Sequence, residues 1–131
     1  MKLTFKGYVP GDVVNGNGSA NGAWLFAQID MAALTHINEE FLCDMPDVLT
    51  VTNGADIKFK SPAFAYGYIE VWTDIIDATP GSISISTLLK YRDTKSKTFN
   101  TCVEGVLKFT LINKNRNIVR IPKEVINAIK R

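Results

Sequence analysis

The chain has 131 residues, 46% of them hydrophobic and 21% charged, with a formal net charge of +2. A chain of this length builds one core, so a single domain over residues 1–131 is expected, and the composition lies far from that of disordered chains. No apolar run approaches the roughly 18 residues of a membrane span, and Met1-Lys2-Leu3-Thr4-Phe5-Lys6 has no signal-peptide pattern, so a cytoplasmic protein with no membrane partner is expected.

Residues 2–9 alternate weakly and end at Pro10-Gly11, which predicts a short strand closed by a turn. The next stretch, Asn15-Gly16-Asn17-Gly18-Ser19-Ala20-Asn21-Gly22, is rich enough in Gly and Asn for left-handed backbone. It runs straight into a patterned segment, so it reads as a shaped approach to a helix. That segment, residues 23–34, is apolar at ten of twelve positions and rich in Ala, Leu and Met. A helix apolar on all sides must be enclosed by other elements. Polar residues return from Thr35 and His36 to Asn38-Glu39-Glu40, where the helix is expected to emerge into solvent.

After Pro46 the period changes to two. Residues 48–60, 64–78, 82–91 and 101–112 read as strands, with Gly54 as a bulge and with breaks at Ser61-Pro62, Pro80-Gly81 and residues 93–100. Consecutive strands with short turns predict an antiparallel meander, and one buried helix ahead of it can be covered only by a sheet that curls around it. The expectation is an α+β fold, an antiparallel sheet wrapped around a long central helix. Residues 122–130 predict a short terminal helix with Pro122 near its first turn.

Charge is unevenly divided. Residues 1–89 carry four Lys/Arg against ten Asp/Glu, a balance of −6, and residues 90–131 carry eleven against three, a balance of +8. The basic segment, with Lys108, Lys114, Arg116, Arg120 and Lys123, is either a solvated face or a site for an anionic ligand, and its sign suits phosphates. No nucleic-acid motif accompanies it, so nucleic acid is not an expected partner. Cys43 and Cys102 form no CxxC or Cys/His spacing, which predicts free thiols and no metal. Phosphate-loop, dinucleotide, zinc-protease and serine-elbow motifs are all missing.

Asp30 is the one acid in the apolar helix, and a carboxylate there is costly unless paired, hydrogen-bonded or put to use. It is either a helix acid reaching water or backbone across a subunit contact, or a base or nucleophile tuned by its pocket. The free amides of a helix amino terminus suit an oxyanion, and Gly22 allows close approach there. Eight residues of helix separate Gly22 from Asp30 by roughly 12 Å, so one reacting carbon cannot touch both. Two chains packing their helices antiparallel would bring Gly22 of one to Asp30 of the other. His36, the only histidine, lies off the face of Asp30 and reads as a polar residue on the emerging helix end. Trp24, Phe26, Phe59, Phe64, Tyr66, Tyr68 and Trp72 read as core or as the lining of an apolar tunnel.

Residues 15–30, from Asn15-Gly16 through Asn21-Gly22-Ala23-Trp24 to Gln28-Ile29-Asp30, resemble the hotdog-fold thioesterase motif N-x-x-G-x-x-H-G-G-x-x-x-x-L-x-D of phenylacetyl-CoA thioesterases. They are also similar to the N-G-x-x-x-G-G-W-x-x-x-Q-x-D segment of the broad acyl-CoA hydrolases. Residues 55–62, ending Phe59-Lys60-Ser61-Pro62, resemble the family's strand ending in F-x-R-P, and residues 113–122 its closing stretch before I-P, so the resemblance runs from about residue 15 to 122. It implies a hotdog fold that hydrolyses an acyl-CoA or related acyl thioester without cofactor or metal, as a homodimer or an assembly of two or three dimers. Asp30 would activate water or attack the thioester, the Gly22 amide would hold its oxygen, and Asn15 would orient water or the carbonyl. Asn21 stands where the family has His, Ala23 where it has a second Gly, Ser61 where it has Arg, and Leu34 where some members carry a hydroxyl. A module that binds an acyl thioester without cleaving it is the alternative.

Overall fold

The structure is a computed structural model that describes residues 1–43, 45 and 47–131; Pro46, where the sequence turns to a two-residue period, lies outside the described residues. β1 (Lys2–Tyr8) leads through the Gly/Asn loop into α1 (Gly22–Ile37), which a wide π-type turn prolongs over Asn38–Leu42. Then come β2 (Leu49–Phe59), β3 (Tyr68–Thr79), β4 (Ser82–Arg92) and β5 (Asn100–Ile112), a two-residue β6 (Ile118–Val119) and α2 (Lys123–Lys130).

All pairings are antiparallel and the strand order is β1-β3-β4-β5-β2, with β6 also on β5. The expected meander therefore holds only for β3-β4-β5, and β2 lies at the far edge rather than beside β3. The connection over residues 60–67 explains this. It is anchored across the sheet end, where Lys60 and Ser61 amides donate to the Cys102 carbonyl at 2.7 and 3.3 Å, and Pro62 cannot continue a ladder. The strand expected from residue 64 starts only at Tyr68, because Tyr66 takes a positive φ of 70°. β6 was not predicted. It forms because Asn113 Oδ1 accepts the amides of Asn115 and Asn117 at 2.9 and 3.0 Å, and Arg116 turns left-handed at φ 64°, closing a hairpin.

The strict alternation of β4 sends Ile83, Ile85 and Leu89 inward to join Ile69, Val71, Val103, Leu107, Phe109 and Leu111, all essentially inaccessible. Against them lie Leu25, Ile29, Ala32, Ala33 and Ile37 of α1, spaced three and four apart on one face, with the two alanines letting the helix sit close to the sheet. The expectation that the helix is enclosed on all sides does not hold for a single chain. The sheet covers one face and Leu34 packs half-buried against the core, while Ala23, Ala27 and Met31 follow the opposite face, and Met31 is 63% exposed. An apolar pattern states that a face needs covering, not which chain covers it.

His36 is likewise not at an emerging end. It is 4% exposed, because the helix runs one turn further than the polar residues suggested. Its Nδ1 lies 2.7 Å from Thr73 Oγ1 and its Nε2 2.9 Å from Glu40, which ties the helix end to β3. Of the seven aromatics singled out in the sequence, Trp24 and Phe26 pack half-buried against the core and Trp72 is half-buried, whereas Phe59, Phe64, Tyr66 and Tyr68 are exposed. α2 begins after Pro122, which occupies the N-cap, and lays Val125, Ile126 and Ile129 toward the core from the side of β3.

α1 packs chiefly on β3, and no residue of the edge strand β2 is fully buried, so the inner face of that strand stays partly open. Register with the buried positions of β5 puts Thr50, Thr52, Ala55, Ile57 and Phe59 on this face, and a bulge between Thr52 and Gly54, close to the expected site, keeps both Thr52 and Ala55 turned inward. Gly105, opposite Ile57, cannot hold a side chain: a Cβ there would meet the Asp56 carbonyl and Ile57 Cα. Gly105→Ala should lower unfolding free energy by about 1–3 kcal/mol, read from the urea midpoint at unchanged slope.

Candidate functional site

Asp30 sits half-buried on the flank of α1 that looks across the open trough to β2. Thr52 Oγ1 donates to its Oδ1 at 2.6 Å, a short bond of the kind made to a carboxylate. Oδ2 has no partner among the described residues, so one oxygen is anchored and the other is not. Thr52 was missed by the sequence reading. Its hydroxyl enters from β2 in the way that the absent hydroxyl at Leu34 would have entered from the helix. Only the inward register of β2, set by the bulge, makes it a partner of Asp30.

At the other end of the trough, Asn21 takes an extended backbone (φ −62°, ψ 138°) and starts the helix without a side-chain cap. Its carbonyl accepts the Leu25 amide at 3.1 Å, while the amides of Gly22, Ala23 and Trp24 find no acceptor among the described residues. The first turn holds no acid, so this terminus keeps its partial positive charge. A cavity of about 430 Å³ opens here between Ser19, Gly22, Leu25, Phe59 and Ser61. Ser61 donates through Oγ to the Thr101 carbonyl at 2.7 Å, and Lys60, which also lines the cavity, pairs with Glu104 at 3.2 Å. The cation that the resemblance places at Ser61 is thus offered one residue earlier.

The Gly/Asn loop is shaped by its own side chains. Asn15 Oδ1 accepts the Asn17 amide at 3.1 Å and the Ser19 hydroxyl at 3.2 Å, and Asn17 Oδ1 accepts the Ser19 amide at 3.0 Å. Gly18 alone takes the left-handed state, at φ 85°. The loop is then fixed to the connection before β3, with the Ala20 amide donating to the Ala63 carbonyl at 2.7 Å. Asn15 therefore spends its side-chain acceptor inside the loop.

Within one chain Gly22 and Asp30 are kept apart. A Cβ on Gly22 would stand 3.5 Å from the Phe59 ring, whereas Asp30 is bonded to Thr52. Those two partners are separated along an extended strand by roughly 20 Å. The basic residues Lys114, Arg116, Arg120 and Lys123 follow β5 at the end where β2 begins, and Lys114 pairs with Asp47 at 2.9 Å.

No protein-family model and no curated protein matches the sequence. Solved structures do match. A hexameric hotdog-fold thioesterase of Campylobacter jejuni has a TM-score of 0.84 and 18% identity, over 100% of this chain and 98% of its own. A hexameric thioesterase of Yersinia pestis has a TM-score of 0.80 and 19% identity, over 93% and 96%. A hexameric broad-specificity acyl-coenzyme A thioesterase has a TM-score of 0.80 and 18% identity, over 98% and 86%. The chain has the hotdog fold, the α+β arrangement of an antiparallel sheet wrapped on a central helix.

Both cysteines are free, Cys43 exposed and Cys102 buried behind the cavity wall, where its thiol donates to the Ser61 carbonyl at 2.9 Å. Burial pushes the Cys102 thiol up to about 11. A thiol-specific alkylating agent near pH 8 should therefore modify Cys43 and spare Cys102 in the native protein, as read by peptide mass. Because the folded thiol holds its proton more tightly than the unfolded one, its stabilising contribution is complete below pH 9 and is lost as pH rises toward 11.

Proposed function

We propose that this hotdog-fold chain hydrolyses an acyl-coenzyme A thioester to a carboxylic acid and a free thiol, at a site shared by two copies of itself. The observation that carries the reading is Asp30, a carboxylate anchored through one oxygen by Thr52 and unpartnered at the other among the described residues, at the edge of an uncovered apolar helix face. A second α1 lying antiparallel on Ala23, Ala27 and Met31 would cover that face and bring its own Gly22 to this Asp30. The open edge of β2 would run along the same contact. The neighbours' thioesterase activity and hexameric assembly extend the proposal to three such dimers.

In this site the partner's Gly22 amide donates to the thioester oxygen and holds the negative charge that develops as the carbonyl carbon becomes tetrahedral. Asp30 Oδ2 takes a proton from water, whose oxygen bonds to that carbon. The C–S bond then breaks and the thiolate collects the proton from Asp30. Direct attack by Asp30, giving an anhydride that water opens, uses the same geometry. Thr52 fixes the angle of the carboxylate in both versions.

Asp30→Asn should lower kcat for acyl-CoA hydrolysis by about 10²–10⁴-fold while leaving the oligomer size unchanged. Thr52→Val should reduce kcat about tenfold with little effect on KM, and Thr52→Ser should restore it. Met31→Asp should yield smaller particles in sedimentation and lose activity together with assembly. A wild-type protein that binds short, long and aromatic acyl-CoAs yet releases no thiol would replace hydrolysis with the binding-only reading.

A further inference from the structure

The sheet end beside Gly22 carries a feature that hydrolysis leaves unused. Tyr8, Phe64, Tyr66 and Tyr68 are all exposed there, and Tyr66, at φ 70°, holds a backbone state that an aromatic residue seldom adopts. Phe64 bridges through its backbone to Ser19 of the loop that presents Gly22, so Phe64 borders the proposed site, and Tyr66 and Tyr68 follow it in the chain. On the outer face, strand register places Tyr8 opposite Tyr68 and Tyr68 opposite Arg92. The Arg92 guanidinium stacks 4.4 Å from the Tyr68 ring centre and 5.5 Å from that of Phe99.

Arg92 is only partly used. Its Nη1 donates to the carbonyls of Asp93 and Ser96 at 3.3 and 3.2 Å, whereas Nε and Nη2 bond to no described residue. Neither Arg92 nor the neighbouring Lys6 pairs with a carboxylate among the described residues. Glu70, the acid in the same wall, accepts the Trp72 indole N–H at 3.2 Å. Between these groups lies a cavity of about 370 Å³ lined by Lys6, Tyr8, Tyr68, Arg92 and Phe99. An acyl chain would have no use for two unpaired cations, and a bare phosphate would have none for the rings. A flat heterocycle that carries phosphate uses both.

We propose that this slot binds a purine nucleotide, its ring against Tyr8 and Tyr68 and its phosphates on Arg92 and Lys6, and that the nucleotide is the coenzyme A end of the thioester. The second half rests on the hydrolase reading above, and the first does not. The basic residues after β5 are the rival for the phosphates, but they offer no comparable group of exposed rings.

Calorimetric titration of the intact protein with ADP and with pantetheine tests the slot, using wild type, Arg92→Met, Tyr68→Leu and Arg116→Met. ADP should bind wild type, Arg92→Met and Tyr68→Leu should each weaken it about tenfold, and Arg116→Met should leave it unchanged. KM for an acyl-CoA should rise by the same factor in Arg92→Met at constant kcat, with KM for the matching acyl-pantetheine unmoved. Absence of ADP binding to wild type, or weakening by Arg116→Met in place of Arg92→Met, overturns the slot. Loss of ADP affinity with an unchanged acyl-CoA KM supports the slot and overturns its assignment to the substrate. Because ADP binding is read without turnover, a protein that hydrolyses nothing but loses ADP in Arg92→Met sinks the hydrolase reading and upholds the slot.

Discussion

One helix carries more apolar surface than one sheet can cover, and the rest of the molecule is arranged around that excess. The buried face of α1, from Leu25 through Ile29 to Ile37, is enough to organise the core with β3, β4 and β5. The opposite face, with Met31 largely exposed, has no counterpart among the described residues. Burying such a face is favourable by about 25 cal/mol for each Å² removed from water, a strong drive toward a second apolar surface. Asp30 stands at the boundary of the two faces, where a carboxylate can be partly shielded without being stranded.

Irregularities of the sheet do more to build the site than its regular parts. The bulge between Thr52 and Gly54 keeps Thr52 directed at Asp30 while the strand beyond it still turns Ala55 and Ile57 inward. Gly105 draws β5 close to β2 at Ile57, where any side chain would force the strands apart. The connection before β3, held to Cys102 and to the Gly/Asn loop, fixes the helix start above the cavity. Polar ends are kept open in the same economical way. No side chain caps the amino terminus of α1, whereas its other end is tied down through His36, Thr73 and Glu40.

The separation of Gly22 from Asp30 needed only the rise of a helix, and the structure adds a second ruler, the length of β2 between Phe59 and Thr52. Both say that one chain cannot gather the two groups around one carbon. The charge distribution has a similar lesson. Net charge along the chain drew attention to the residues after Leu89, yet the cation that lines the aromatic slot is Arg92, at the start of that segment, with Lys6 contributed from the acidic half. Clusters formed across strands do not appear in a running sum.

Alternation determined the four long strands, helix-forming composition the central helix, and Pro122 the start of the terminal one, because each is a local consequence of which side chains must leave water and which backbone a residue adopts. The oddity of Asp30 and the openness of the Gly/Asn loop were legible for the same reason. Only the tertiary structure decided that β2 crosses to the far edge, that His36 is buried, that Thr52 holds Asp30, and that Phe59, Phe64, Tyr66 and Tyr68 are exposed. Each of these depends on pairing between residues distant in sequence, and a pattern of burial cannot specify its partner. The uncovered face of α1 marks where that information ends: the sequence required that it be covered, and the described residues leave it free.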